Sequence, residues 1–211
     1  MCEELISNWR TMNLKSLDLV LCSGNGRLSK SIKKFQRYTG ADEISAEISH
    51  IAGIRLDVWN RTNLQESTTL NKYNGKTGVQ ENPLELWLPN YDGKVWVRQL
   101  EFDRTQNFND IDFGFWNFNS NFGYEHGIPG TIELLLCGLR LNRFVKHIFP
   151  NYVPKFTTSP HCSELESKRL QRHKLYNKVV SHNRMPPWMW WAEIDKLLVS
   201  GCTIGKPVRI K

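Results

Sequence analysis

Alternating apolar and polar positions dominate the first half of the chain, and helical spacing takes over in the second. L-D-L-V-L-C at Leu17 to Cys22 predicts a strand, closed by the turn S-G-N-G. Leu28, Ile32 and Phe35 then recur at helical spacing while Lys30, Lys33, Lys34 and Arg37 take other faces, which predicts an amphipathic helix over 28–38. Over 47–57 the period returns to two. Ile48, His50, Ala52, Ile54 and Leu56 fall on one strand face, so an imidazole sits among apolar neighbours. A further strand is predicted over 58–67, and after the turn-rich N-K-Y-N-G-K-T-G, Pro83 opens a short helix P-L-E-L-W-L. The stretch 94–100 alternates as a strand with Val95, Val97 and Gln99 on one side.

Farther on, 107–124 interleaves aromatics with Asn and Asp and fits neither period, and 143–159 has no clear period. I-E-L-L-L-C-G-L within 128–141 predicts a buried helix, and a charged helix runs from Cys162 to about residue 178. A last helix, P-P-W-M-W-W-A-E-I-D-K-L-L, starts near Pro187 and is apolar around most of its circumference, so it is expected to pack on more than one side. Strands early, helices late, and no repeat or linker between them predict one α+β domain over 1–211, with its core at about 17–198.

Composition narrows the class. The 211 residues include eight Trp and ten Phe, and 40% hydrophobic against 23% charged residues describes a globular chain with a real core. Glu3 and Glu4 stand where an export signal carries positive charge, and no apolar run nears the roughly 20 residues of a membrane span. The expectation is a cytoplasmic protein, or one delivered by a phage particle, lysis or a dedicated secretion system. Cys2, Cys22, Cys137, Cys162 and Cys202 are odd in number and form no C-x-x-C pair, so reduced thiols and no metal or organic cofactor are expected.

Net charge is +7, but 138–184 alone carries ten Lys/Arg against Glu164 and Glu166, which leaves −1 for the remainder. Such a stretch attracts nucleic acid, anionic lipid or an acidic substrate, or is simply a solvated helix face. It motivates a non-catalytic reading: a nucleic-acid-binding or scaffolding module with Lys168, Arg169, Arg172, Lys174 and Lys178 on phosphates. S-G-N-G-R lacks the G-K-[ST] ending of a phosphate loop and reads as a turn.

The competing reading starts at Cys162. It sits in S-P-H-C-S-E, where a turn hands over to a helix, and unpaired N–H groups with a partial positive charge at a helix N-terminus favour thiolate over thiol. A base and an orienting group are then required. His161 adjoins the cysteine and points elsewhere, whereas His173 and His182 lie in the basic helical stretch. His50 is the candidate base. Glu66, near the end of the next strand, is the candidate orienter because consecutive strands usually pair. Taken singly, each also reads blandly, as a buried cysteine, a core histidine and a strand-end glutamate.

Seven short stretches form an ordered set. L-D-L-V-L opens the chain's first strand, S-H-I-A-G-I covers Ser49 to Ile54, L-Q-E-S covers Leu64 to Ser67, and G-V-Q-E-N-P-L-E-L-W-L leads to V-W-V-R-Q-L. G-Y-E-H follows at Gly123 to His126 and H-C-S-E-L at His161 to Leu165. This set resembles the circularly permuted papain-like cysteine hydrolases, the YiiX-like branch of the NlpC-type peptidase superfamily, with lecithin:retinol acyltransferase-like enzymes as distant relatives. Leu17 stands where that family has glycine. The order histidine, acid, tyrosine, cysteine reverses that of unpermuted papain.

The resemblance implies a permuted papain-like fold with an antiparallel sheet packed against helices. It also implies a Cys162, His50, Glu66 triad, with Tyr124 and Ser163 serving the oxyanion or substrate. The implied reaction is acyl transfer through an acyl-enzyme on a peptide or acyl substrate: amidase or peptidase, or alternatively thioesterase, phospholipase or acyltransferase on the same triad.

Overall fold

The period-two segments become neighbouring strands of one sheet in the computed structural model, which describes residues 4–5, 9–38, 40–68, 78–104, 162–177 and 186–211. The elements are β1 (Glu4–Leu5), β2 (Leu19–Gly24), α1 (Arg27–Tyr38), β3 (His50–Leu56), β4 (Thr62–Thr68), β5 (Gly78–Pro83), α2 (Leu84–Asn90), β6 (Gly93–Arg98) and β7 (Leu100–Glu101). After these come α3 (Cys162–Arg172), α4 (Met189–Ala192), α5 (Ile194–Leu197), β8 (Thr203–Ile204) and β9 (Val208–Arg209). The sheet runs β1-β9-β6-β2-β3-β4-β5, antiparallel except where β1 meets β9, and β7 pairs with β8 in a separate ribbon. The architecture is α+β, an antiparallel sheet packed against helices. The sequence expectations over 107–124, 128–141 and 143–159 lie outside the described residues.

Both faces of the sheet are covered. Leu19, Leu21, Ile51 and Trp96 pack with Leu170, Trp190 and Ile194 on one side. Val20, Cys22, Ala52, Ile54, Leu64, Val95 and Val97 pack with Leu84, Trp87 and Leu88 of α2 on the other. Each fully buried side chain of this kind contributes roughly 1.5–3 kcal/mol, so the central strands form the most costly part of the fold to open.

Three of the predicted boundaries that move do so for a clear local reason. The strand expected from Val58 begins at Thr62, because the Asp57 carboxylate accepts the N–H groups of Trp59 and Arg61, both at 2.9 Å, and Asn60 takes φ 57°. That turn consumes 57–61. The helix expected to run to 178 stops at Arg172: Lys174 adopts φ 60°, and the Leu175 N–H donates to Leu170 O at 2.8 Å. The last helix splits into α4 and α5 at Glu193, whose φ −127° and ψ 12° lie outside the helical region.

Leu17 explains the glycine of the resembling strand. It precedes β2 at φ 74° with its side chain wholly buried, and its N–H donates to Ile54 O at 2.9 Å. A left-handed residue with a Cβ costs roughly 1–2 kcal/mol, which glycine avoids; here the buried leucyl side chain offsets it.

Helix α3 rests on β3 at Gly53. A Cβ there would stand 2.2 Å from Arg169 Nη1 and 2.5 Å from Glu166 Oε2. Arg169 and Glu166 form an ion pair at 3.6 Å with both side chains about 1% exposed, and Arg169 Nη2 donates to Ile54 O at 2.9 Å. Arg169 is therefore sealed between helix and sheet and does not reach a phosphate, contrary to the expectation that grouped it with Lys168 and Arg172.

Candidate active site

The β2–β3–β4 ladder sets the site. Cys22 lies directly opposite His50, and Ala52 lies opposite Glu66. His50 and Glu66 are thus diagonal neighbours on one face, a separation that long side chains span. His50 Nε2 and Glu66 Oε2 are 2.9 Å apart, with the histidine side chain 14% and the glutamate 2% exposed. Nε2–H donates to the carboxylate, which leaves Nδ1 for a second partner.

The carboxylate is held from its other side. Its Oε1 accepts Asn82 Nδ2–H at 3.2 Å and the Trp87 indole N–H at 3.0 Å. Asn82 comes from β5 beside β4, and Trp87 from the inner face of α2. A charge taken out of water needs such donors, since an ion left incompletely hydrogen-bonded in the interior is heavily penalised.

Helix α3 supplies the sulfur. Cys162 is its first residue, is buried, and hydrogen-bonds the His50 ring. Burial opposes the imidazolium, but the negative charge and hydrogen bond of Cys162 and then those of Glu66 outweigh it and push the His50 pKa up to about 10. Cys162, His50 and Glu66, drawn from a helix and two strands, are one hydrogen-bonded row.

Ser163 is fully buried within α3, and its hydroxyl has no hydrogen-bond partner among the described residues. Tyr124 lies outside the described residues.

Sequence reasoning missed four neighbours. Asn82 falls in the unassigned stretch before Pro83, and Trp87 within the short helix that Pro83 opens. Cys22 is wholly buried; burial first, then the charges of Glu66 and Cys162, raises its pKa well above the ordinary thiol value, so it stays a thiol. The Tyr91 hydroxyl bonds Cys22 and is likewise held neutral, by burial first and then by the charges of Glu66 and Cys162. Its ring stacks on Trp87 at 4.7 Å, and its oxygen lies 3.0 Å from where a Gly24 Cβ would be. Lys211 Nζ locks this corner by donating to the carbonyls of Leu88, Pro89 and Tyr91 at 2.8, 2.9 and 2.6 Å. The one available signal was Trp87 itself, an indole on the inward side of a helix that follows the strands, where a polar N–H requires an acceptor.

No protein-family model matches the sequence, and no curated protein matches it. A crystal structure of metalloprotein YiiX from Escherichia coli O157:H7 superposes with a TM-score of 0.52 at 11% identity, covering 92% of this chain and 97% of that one. The chain has the YiiX fold. That structure's description calls YiiX a metalloprotein; here, among the described residues, no group of three or more His, Cys, Asp or Glu side chains is disposed to hold a metal ion. Among those residues, too, no helix is long and apolar enough to cross a membrane.

Proposed function

We propose that the protein is a cysteine hydrolase of the circularly permuted papain-like kind, with Cys162 as nucleophile, His50 as acid and base, and Glu66 as orienting group. The observation that carries this reading is the row itself: a thiol at a helix start bonded to an imidazole whose far nitrogen is bonded to a buried carboxylate. Two features argue against a passive core cluster. Burial opposes charge on the imidazole, yet Cys162 and Glu66 raise its pKa to about 10, and the carboxylate is held by Trp87 and Asn82 with one oxygen left for the ring.

In the proposed reaction the Cys162 thiolate attacks an amide or ester carbonyl carbon, and the carbonyl π electrons move to oxygen. The Cys162 backbone N–H at the α3 start donates to that oxyanion. The imidazolium gives its Nδ1 proton to the leaving nitrogen or oxygen as the carbon–heteroatom bond breaks, leaving a thioester. His50 then takes a proton from water, hydroxide adds to the thioester, and the thiolate departs with the acid product. Glu66 holds the ring through Nε2 and stabilises the imidazolium throughout without taking the proton.

The test is a panel of peptide, isopeptide, thioester and ester electrophiles with covalent capture read by mass spectrometry. The adduct is expected on Cys162, iodoacetamide is expected to label Cys162 ahead of Cys22 and Cys202 at mildly acidic pH, and Cys162→Ala is expected to fold normally and lose turnover. Unchanged turnover in Cys162→Ala, or equal labelling of the three thiols, refutes the mechanism. The class of electrophile captured separates amidase from thioesterase or acyltransferase.

A further inference from the structure

Helix α1 carries an outward face that the proposed chemistry does not use. Its inward side is Ile32 and Gln36, and Gln36 Nε2 donates to Ala46 O and Ile48 O at 3.0 and 2.7 Å. Lys33 and Arg37 are engaged by Glu47. Arg27, Lys30 and Lys34 are different: they follow one another at spacings of three and four residues, so they form one row, all are exposed, and none makes an ion pair among the described residues. Along the same helix Tyr38 stands 86% exposed, and Ile44 on the following turn is 54% exposed. Exposed apolar side chains together with a row of exposed cations are the two halves of an interfacial surface.

We propose that this face docks on an anionic lipid bilayer, with Arg27, Lys30 and Lys34 at lipid phosphates and Tyr38 and Ile44 in the headgroup layer. Charge complementarity selects an anionic partner, and the apolar pair selects lipid over a polyphosphate chain: a tyrosine ring sits well at headgroup depth, and an isoleucine gains nothing from a phosphodiester. Asp42 accepts the N–H groups of Ile44 and Ser45 at 3.0 Å each and stays ionised. With Glu43, also exposed beside Ile44, it is one of two local opposing charges. Only Asn25 and Gly26 separate α1 from β2, the strand on which Cys22 faces His50.

Co-sedimentation of the full chain with phosphatidylcholine vesicles, with and without phosphatidylserine, tests the assignment. Wild type is expected to pellet only with the serine lipid and less so as salt rises. The triple variant Arg27→Gln, Lys30→Gln, Lys34→Gln is expected to bind on the order of a hundredfold more weakly, since each cation near an anionic surface counts for roughly fivefold. Tyr38→Ser with Ile44→Ser is expected to lose roughly tenfold at any salt, and Glu43→Lys to gain roughly fivefold. All positions are exposed, so thermal melts should match wild type and exclude misfolding as the cause.

Absence of wild-type binding to serine-lipid vesicles, or retention of binding by the triple variant within about twofold, overturns the proposal. If a generic DNA duplex displaces the protein and the Tyr38, Ile44 variant keeps full vesicle binding, the lipid assignment falls and a nucleic-acid surface replaces it. Cys162→Ala should bind vesicles as wild type does, so failure of docking and failure of the hydrolase reading are read separately.

Discussion

Gly53→Ala inserts one methyl group between β3 and the helix that carries the candidate nucleophile. Its carbon would lie 2.2 Å from Arg169 Nη1 and 2.5 Å from Glu166 Oε2, more than about 1 Å inside ordinary contact. Neither side chain can swing into solvent, since both are about 1% exposed and Arg169 is also tied to Ile54 O. Gly53 is not among the residues with positive φ, so alanine carries no backbone strain. In an open strand the change would stabilise by roughly 0.4–1 kcal/mol through the unfolded chain. Here overpacking costs roughly 1–3 kcal/mol, and separating a buried ion pair adds up to about 3–5 kcal/mol.

We expect a net loss of roughly 2–4 kcal/mol in urea denaturation, with m unchanged. A second readout is specific to the site. Cys162 is the first residue of α3, so a helix lifted by about 1 Å parts the sulfur from the imidazole and should slow Cys162 alkylation and turnover by roughly a hundredfold. Combining Gly53→Ala with Arg169→Ala should cost less than the sum of the two, because the second change removes the group that the methyl strikes. A Gly53→Ala protein within about 0.5 kcal/mol of wild type, with unaltered thiol reactivity, refutes the claim that this glycine seats the nucleophile.

Other outcomes follow from the same contacts. His50 holds its proton to about pH 10 against an ordinary value of 6.5, so it stabilises the fold fully below about pH 6.5 and that contribution is lost as pH rises through about 10. Glu66→Gln removes one of the two anions responsible; the alkaline limbs of both the stability curve and kcat/KM should move to lower pH, and unmoved limbs would show that the carboxylate does not tune the ring. At Leu17, with φ 74° and a fully buried side chain, both truncations lose packing but only glycine relieves the backbone. Leu17→Gly should therefore be about 1 kcal/mol more stable than Leu17→Ala, the reverse of their usual order in a strand, and equal melting curves would contradict it. Lys211→Met takes an ammonium away from three carbonyls at the end of α2 and should cost roughly 1–2 kcal/mol, measured by urea titration; no change would mean that water replaces the cap.

Local pattern alone was enough to say which strand faces carry the candidate residues. Period two put His50 with Ala52 and Ile54, the pairing of consecutive strands put Glu66 within reach, and the turn before Cys162 gave the sulfur a helix start; an α+β chain with strands first follows from the same periodicities. Only the folded chain decided that Cys22 stands across from His50, that Trp87 and Asn82 complete the carboxylate, that Tyr91 closes on Cys22, and that Arg169 is sealed against Gly53. The physical reason is the range of the interactions. Side-chain direction along a strand or helix is a property of neighbouring residues, whereas register between strands and the seating of α3 on β3 depend on shape and charge from segments more than a hundred residues apart, a fit that no local period encodes.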